Sequence, residues 1–562
     1  MFTVVTFAPV QGFISSSRKL RDLYGSSLLL SFLAKAIVDD AKQRGLLVIS
    51  PAVVSTSRGT PNTLVISGNY KKGYGVDALE QAWGGVLDAT RKWLVTHCPP
   101  PQFNYSWDAA WKLWHKNAWE MFHAQGETVE AARRRLAIRK NERAWTAINW
   151  TGESSTLGGA DAICRPSMSA NIPPWKLDSE EVGKEVQEFM GAINQMLGGA
   201  FCATRIDGSS SEELSLPELV KRLVTYKDVA KEAFRSPLIT GSNQSDEKTG
   251  DLLPQRFETL AGSETTAWFM ADGDGVGAYL REMRGTDPAA EPKVLHQFSA
   301  TMRSWAEQLY KKVPDHMENK ATVIYAGGDD LLGALHESKP GAQDLTRIDL
   351  FNWLENVFPA LWILNNNAAL PLSPVHSNDS NGHAPGLTIS MGLVWAQSKV
   401  PQREALQHSR EAEQSAKSHG RNRFTLRLLF RGDQHLEWVC PWWLLPKVRL
   451  HYRDREKNEG HNAKWRHLAE DLEHLLRRES ISREHAPCDV RSPHSESMAK
   501  VMWNAYFPPV NGEELPPPIT VHYDDPRLAH SSIGMPLARW MLSMAQVMAS
   551  LEQDRTWRLE NA

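Results

Sequence analysis

Apolar residues fall along this chain in short runs parted by amphipathic stretches. Phe2 to Phe7 has the length of a strand; a helical period then holds from Gln11 to Arg44 and stops at Gly45. Leu46 to Ile49 and Thr63 to Ile66 read as strands, and Val76 to Val95 as a second helix. Trp107 to Trp150 reads as helical and Trp-rich, with Arg133-Arg134-Arg135 and Arg139-Lys140 as a solvated face and an RNA or partner contact as the minority reading. Residues 166–264 are mostly helical in pattern, with a polar loop from Thr240 to Gly250. Thr265 to Ala271 is a buried strand, Ala278 to Met283 helical, and Thr322 to Ala326 and Leu331 to Leu335 are two apolar runs four residues apart. Leu387 to Val394 is a strand, preceded by a polar insertion, Asn365 to Gly386, that reads as a surface loop. Arg403 to His419 is a helix carrying Ala405, Leu406, Ala412 and Ala416 and closed by Gly420. Phe424, Leu426, Leu428 and Phe430 alternate as a strand does. Beyond Trp443 the period is helical again, in Ala463 to Glu479 and Met535 to Leu551, and predicts a bundle.

The chemistry lies in two acidic clusters within this pattern. Gly327-Gly328-Asp329-Asp330 parts the two runs around residue 328 and predicts a tight β-hairpin, its glycines supplying the positive φ angles. Adjacent carboxylates at a rigid hairpin tip are half of a divalent-metal site for phosphate chemistry. Upstream, the strand ending at Ala271 runs into Asp272-Gly273-Asp274, followed by Gly275-Val276-Gly277 and a helix. Either motif alone fits an ordinary Asp- and Gly-rich turn. A calcium loop starting at Asp272 is excluded, because Val276 and Met283 would stand at ligand positions. A strand ending in Asp-x-Asp, then a helix, then a hairpin bearing Gly-Gly-Asp-Asp is the order of a palm domain, the ferredoxin-like sheet of polymerases and nucleotide cyclases. Lys417 ends the helix that follows, where it could bind a triphosphate or simply satisfy the helix C-terminus.

A length of 562 residues predicts several domains, and 41% hydrophobic with 23% charged residues is ordinary for a soluble protein. A net charge of -3 does not announce a nucleic-acid binder, so such contacts would rest on local patches. Five cysteines (Cys98, Cys164, Cys202, Cys440, Cys488) make no Cys-x-x-Cys pair, which argues against a zinc ribbon or a disulfide framework. The apolar stretch Leu28 to Val38 contains Lys35 and is too short to span a bilayer; no export signal follows Met1, and a cytoplasmic location is expected.

The ordered motifs resemble those of the Cmr-type palm-domain large subunit of type III CRISPR effector complexes. Phe7 to Ile14 with Ser17 to Ser27 resembles that family's opening signature, and Pro61-Asn62 its next motif. Glu212-Glu213 to Lys221-Arg222 resembles the helical region between palms. Asp272-Gly273-Asp274, Tyr325 to Asp330, Ser390-Met391-Gly392 and Ala416-Lys417 with Gly420-Arg421-Asn422 then follow in family order.

The resemblance implies an α+β fold of two ferredoxin-like palms of the nucleotide cyclase type that face each other with ATP between them. The expected division is a first palm with a helical extension over 1–165, a helical inter-palm domain over 166–264, a second palm over 265–435 and a C-terminal helical domain over 436–562. It implies an enzyme, a nucleotidyltransferase that makes cyclic oligoadenylates when guide RNA pairs with target RNA. Asp272, Asp329 and Asp330, with Asp274 as a weaker candidate, would hold Mg²⁺ or Mn²⁺. Gly273, Gly327, Gly328 and Lys417 would meet the nucleotide, and Ser16, Ser17 and Arg18 a second one. Guide RNA, target RNA and the other subunits of the complex are the implied partners, with no membrane. The signature begins at Phe7 and none of the 19 histidines precedes an Asp, so no His-Asp nuclease domain is expected. Trp150 to Gly158, where relatives carry zinc cysteines, has none, so no structural zinc is expected. The alternatives are a catalytically silent scaffold that holds guide RNA and small subunits, and a diguanylate cyclase.

Overall fold

The computed structural model describes residues 1–56, 59–99, 102–142, 153–169, 179–199, 201–202, 212–235, 265–337, 345–363, 387–397, 400–430, 434–481, 492–515, 517 and 536–552. The polar insertion expected over 365–386, the loop at 240–250, residues 150–152 and Cys488 lie outside them. The chain forms two compact units: Met1–Phe257 with Arg284–Arg303, and Glu258–Met283 with Ser304–Ala562.

In the first unit, β1 (Phe2–Ala8), β2 (Leu47–Ser50), β3 (Leu64–Ser67) and β4 (Glu120–Gly126) form an antiparallel sheet in the order β2-β3-β1-β4. After a short α1 (Gln11–Ser15), α2 (Leu20–Gln43) connects β1 to β2; α3 (Lys72–His97) and α4 (Asp108–Asn117) connect β3 to β4. That order and connectivity are ferredoxin-like. Val5, Phe7, Leu33, Ile37, Val48, Leu64, Ile66 and Trp83 meet in the core.

Two expectations are corrected. The helix expected without interruption from Gln11 to Arg44 breaks at Ser16–Lys19, because the Asp22 carboxylate reaches back to accept from the amides of Arg18 and Lys19, both at 2.9 Å. This is an N-cap made from inside the first turn, which satisfies amides that a new helix leaves orphaned. The stretch expected to be helical from Trp107 contains β4 between α4 and α5 (Val129–Asn141); residues 143–150 lie outside the description.

Helices α6 (Ser179–Met196), α7 (Leu216–Leu223) and α8 (Lys227–Ala233) pack on this palm. α7 opens with a capping box of Ser215 and Glu218 and buries every residue, charged ones included. Arg222 is fully buried and donates to both Asp22 oxygens, at 2.7 and 2.9 Å, and to Glu212 at 2.7 Å. A Cβ on Gly25 would stand 1.8 Å from the Lys221 carbonyl, so α2 and α7 meet backbone to backbone.

The second unit is built on a six-stranded sheet in the order β10-β9-β8-β5-β7-β6. Its strands are β5 (Thr265–Gly273), β6 (Ala321–Gly327), β7 (Asp330–Leu335), β8 (Ile389–Gln397), β9 (Arg423–Leu429) and β10 (His435–Pro441). The inner four, β8-β5-β7-β6, repeat the ferredoxin order of the first unit. Helix Gln402–Ser418 crosses from β8 to its parallel neighbour β9. It lies so close to the sheet that a Cβ on Gly392 would be 2.2 Å from the Ser409 carbonyl and 2.3 Å from the Glu413 amide. Phe269 of β5 packs on Trp353, with ring centroids 4.6 Å apart. Helices Leu444–His451, Trp465–Arg477, Ser492–Tyr506 and Leu537–Glu552 follow, and Trp540 of the last donates to the Val439 carbonyl of β10 at 2.7 Å. Among the described residues, no helix is long and apolar enough to cross a membrane.

Candidate active site

The carboxylates meet because of strand register. β5 pairs with β7 through Ala271 opposite Leu331, so the next pair outward sets Asp272 beside Asp330. The β6–β7 hairpin closes at Gly327 opposite Asp330, leaving Gly328 and Asp329 as its tip. Gly328 has φ +75° there, a conformation that favours glycine. Gly273 ends β5 without a side chain, and a Cβ there would lie 2.9 Å from the Asp329 Cβ. Its absence lets the hairpin tip close on the strand end. Gly327 is equally constrained, since an added Cβ would fall 2.0 Å from the Tyr325 hydroxyl.

Lys417, on the last turn of helix Gln402–Ser418, donates its ammonium to Asp272 Oδ2 and stands 2.6 Å from Glu413 Oε1, one turn back. Burial opposes the lysine charge, but the hydrogen bonds to Asp272 and Glu413 prevail and hold its pKa above the ordinary value. Asp329 and Asp330 lie above the free carboxylate value. Burial, then the Asp272 charge, pushes Asp329 up to about 6. Asp330 is raised by burial and by the hydrogen bond and charge of Asp272. Like charges this close cannot all ionise without a counter-cation.

Asp274 has a different role in the geometry. Its carboxylate accepts from Thr388 Oγ1 (2.9 Å), Ser390 Oγ (2.8 Å) and the Asn422 amide (2.9 Å), and its own amide donates to the Thr388 carbonyl at 2.8 Å. It is buried and ties the end of β5 to β8 and to the turn after the lysine helix. Burial raises its pKa against those three bonds. Asp272, Asp329, Asp330 and Lys417 therefore come together at one edge of the sheet, with Gly273, Gly327 and Gly328 as the backbone around them. Ser16, Ser17 and Arg18 belong to the first unit, in the turn between α1 and α2. Ser17 is buried and Arg18 exposed, and the Ser16 carbonyl accepts from Lys221 Nζ at 2.8 Å.

Glu413 went unnoticed in the sequence, although Glu and Lys four residues apart on a helix are a recognisable ion-pair signal. Ser390 and Asn422 stood in the motifs without a role, and the structure gives them one as partners of Asp274.

The donor set suits a hard divalent cation: Asp272 with Asp329 and Asp330, the latter two of raised pKa, crowded at a strand end and a hairpin tip and open on the Asp330 side. Among the described residues, no group of three or more acidic, His or Cys side chains closes around an ion unaided. Mg²⁺ sites that work on nucleotides complete their shell with water and phosphate oxygens. Asp272, Asp329 and Asp330 fit that role.

Two family models match: residues 265–425 match Cas10/Cmr2, second palm domain, and residues 2–58 match CRISPR-associated protein Cmr2, N-terminal. No curated protein matches the chain by sequence. Among solved structures, the apo state of a type III-B Cmr-beta assembly aligns at TM-score 0.54 and 11% identity, covering 98% of this chain and 82% of the other. A Csm1–Csm4 subcomplex of a type III-A Csm interference complex aligns at 0.43 and 14% identity, and a Csm1–Csm4 cassette with cA4 at 0.40 and 13%, each over 98% of this chain and 70% of the other. Scores that low do not bear on the fold. The two family matches fall on the two ferredoxin-like palms, the match over 265–425 enclosing Asp272, the Gly-Gly-Asp-Asp hairpin and Lys417, and together they support a Cas10/Cmr2-type large subunit of a type III CRISPR complex.

Proposed function

We propose that this chain is a nucleotidyltransferase that joins ATP into cyclic oligoadenylates when its complex binds target RNA. The observation that carries the reading is the meeting of Asp272, Asp329, Asp330 and Lys417 at the end of β5 and the tip of the β6–β7 hairpin. Divalent ions held by the three carboxylates would supply a lowered pKa at the attacking 3′-hydroxyl and charge neutralisation at the departing pyrophosphate. Gly273 lets the hairpin tip close on the strand end, which sets Asp272, Asp329 and Asp330 side by side for one nucleotide. Lys417 offers a point charge to that triphosphate. Asp274 stiffens the strand end from beneath. Ser16, Ser17 and Arg18 are assigned to a second nucleotide on the family resemblance. Guide RNA, target RNA and smaller subunits are the expected partners, and Mg²⁺ or Mn²⁺ the expected metal.

The test is to assemble the chain with neighbouring subunits and guide RNA, add target RNA, Mg²⁺ and labelled ATP, and resolve the products. Target-dependent cyclic oligoadenylates that vanish in Asp329→Ala/Asp330→Ala, with assembly unchanged, support the reading. Normal target binding with no product from any nucleotide moves the chain to a scaffold role, and product from GTP alone to a diguanylate cyclase.

A further inference from the structure

We infer that Lys417 is a placeholder for the metal at Asp272, and that Glu413 is the second seat that keeps the lysine beside the site once the metal displaces it. The inference rests on the metal-site reading above and deepens it. Lys417 is held between two carboxylates on different elements: Asp272 at the end of β5, and Glu413 one turn earlier on its own helix. Neither seat can shift readily. Asp272 is locked in the ladder opposite Ser390, next to the buried Asp274. The helix at Glu413 is pressed against β8, with its amide 2.3 Å from where a Gly392 Cβ would be. The mobile part is the lysine's four-carbon side chain, which is 28% exposed while that of Glu413 is 10% exposed.

The consequence is an exchange of cations. Without metal, the ammonium neutralises Asp272, which otherwise stands beside Asp330 and Asp329 in a crowded acidic cluster. With Asp272 given over to a divalent ion, Lys417 would keep Glu413 as its partner and remain at the site, where its charge would be available to a nucleotide's phosphates. One residue thus guards the empty site and serves the filled one, and Glu413 is a positioning residue.

The exchange predicts that lysine and metal compete. Mn²⁺ binding to the full chain without nucleotide can be followed by electron paramagnetic resonance, counting the binding that is lost in Asp329→Asn/Asp330→Asn. Lys417→Met is expected to tighten that binding roughly three- to tenfold, as expected for removing a partly buried competing ion pair, and Lys417→Arg to leave it near wild type. Glu413→Gln is expected to weaken Mn²⁺ binding a few-fold and to raise KM for ATP more than it lowers kcat, because the displaced lysine has lost its second seat. In the Lys417→Met background, Glu413→Gln should change Mn²⁺ binding no further. Unchanged or weaker binding in Lys417→Met overturns the placeholder role, and a Glu413→Gln effect that persists without the lysine overturns the second seat. Absence of any carboxylate-dependent Mn²⁺ binding in wild type instead overturns the metal-site reading itself.

Discussion

The acidic cluster is set against its own stability, and this shows in single residues. Asp329, at about 6, has a folded-state pKa above that of a free aspartate, so its contribution to stability is full below about pH 4 and is lost as pH rises through about 6. The loss is on the order of 2 kcal/mol once solvent access is allowed for. A divalent cation reverses it by taking the ionised form. The rise in melting temperature on adding Mg²⁺ should therefore be small at pH 5.5 and larger at pH 7.5, and differential scanning fluorimetry in the two buffers checks this. Asp330→Asn should raise the metal-free melting temperature at pH 8, by about 1 kcal/mol of stability, while abolishing nucleotide transfer, since the cost of holding a proton on a carboxyl raised to about 9 is gone and with it a metal oxygen. A lower melting temperature in that variant would show that the carboxyl is held by contacts that outweigh that cost. These residues were legible because two Asp- and Gly-rich motifs, each of which alone fits an ordinary turn, follow one another in palm order. Glu413 was not, because its importance depends on which of the helix's several acidic residues faces β5.

At the scale of elements, the glycines mark where two pieces of backbone touch. Gly392→Ala would drive a methyl group into the Ser409 carbonyl and the Glu413 amide. Both are backbone atoms of one helix, so the helix must move as a body. The expected cost is about 2–3 kcal/mol. Lys417 sits three turns or fewer from that contact, so the same variant should also lose nucleotide affinity; thermal unfolding and nucleotide titration of one preparation would show both effects. Gly327→Ala meets the ring and hydroxyl of Tyr325, and Tyr325→Leu in the same chain, which removes both, should recover part of its loss. The elements that escaped sequence reading did so for a common reason. β4 buries Met121, Phe122, Ala124 and Gly126 without strict alternation, pairs with β1, and follows the Trp-rich α4, whose helical period hides it. The break at Ser16–Lys19 has no glycine or proline to announce it, because the residue responsible, Asp22, lies inside the helix that follows. The β-α-β-β-α start of the first palm and the Asp-x-Asp strand, helix and hairpin of the second were readable because they depend on periodicity and local motifs, whereas these features depend on a partner distant in sequence.

At the scale of the molecule, that distant partner is Arg222, 200 residues from Asp22. Its guanidinium holds Asp22 below the usual carboxylate range against the burial that would raise it, and Asp22 in turn caps α2. α7 also carries Lys221, which burial lowers to about 8 and which donates to the carbonyls of Phe13 and Ser16. The first unit therefore joins its palm to α7 through buried charge, and buried charge contributes to specificity of docking more than to net stability. Arg222→Ala would leave Asp22 and Glu212 buried without their main cation. The expected loss is on the order of 3–5 kcal/mol. Arg222→Met together with Asp22→Asn and Glu212→Gln should recover most of that loss, because replacing all the charges removes the desolvation cost that replacing one exposes. Hydrogen exchange gives the decisive pattern. If the network is the fastener of α7 on the palm, amides in α2 and α7 lose protection together in Arg222→Ala and regain it together in the triple variant. Loss confined to α7 would mean that Asp22 caps α2 without help, and that the turn carrying Ser16, Ser17 and Arg18 is shaped by the palm alone.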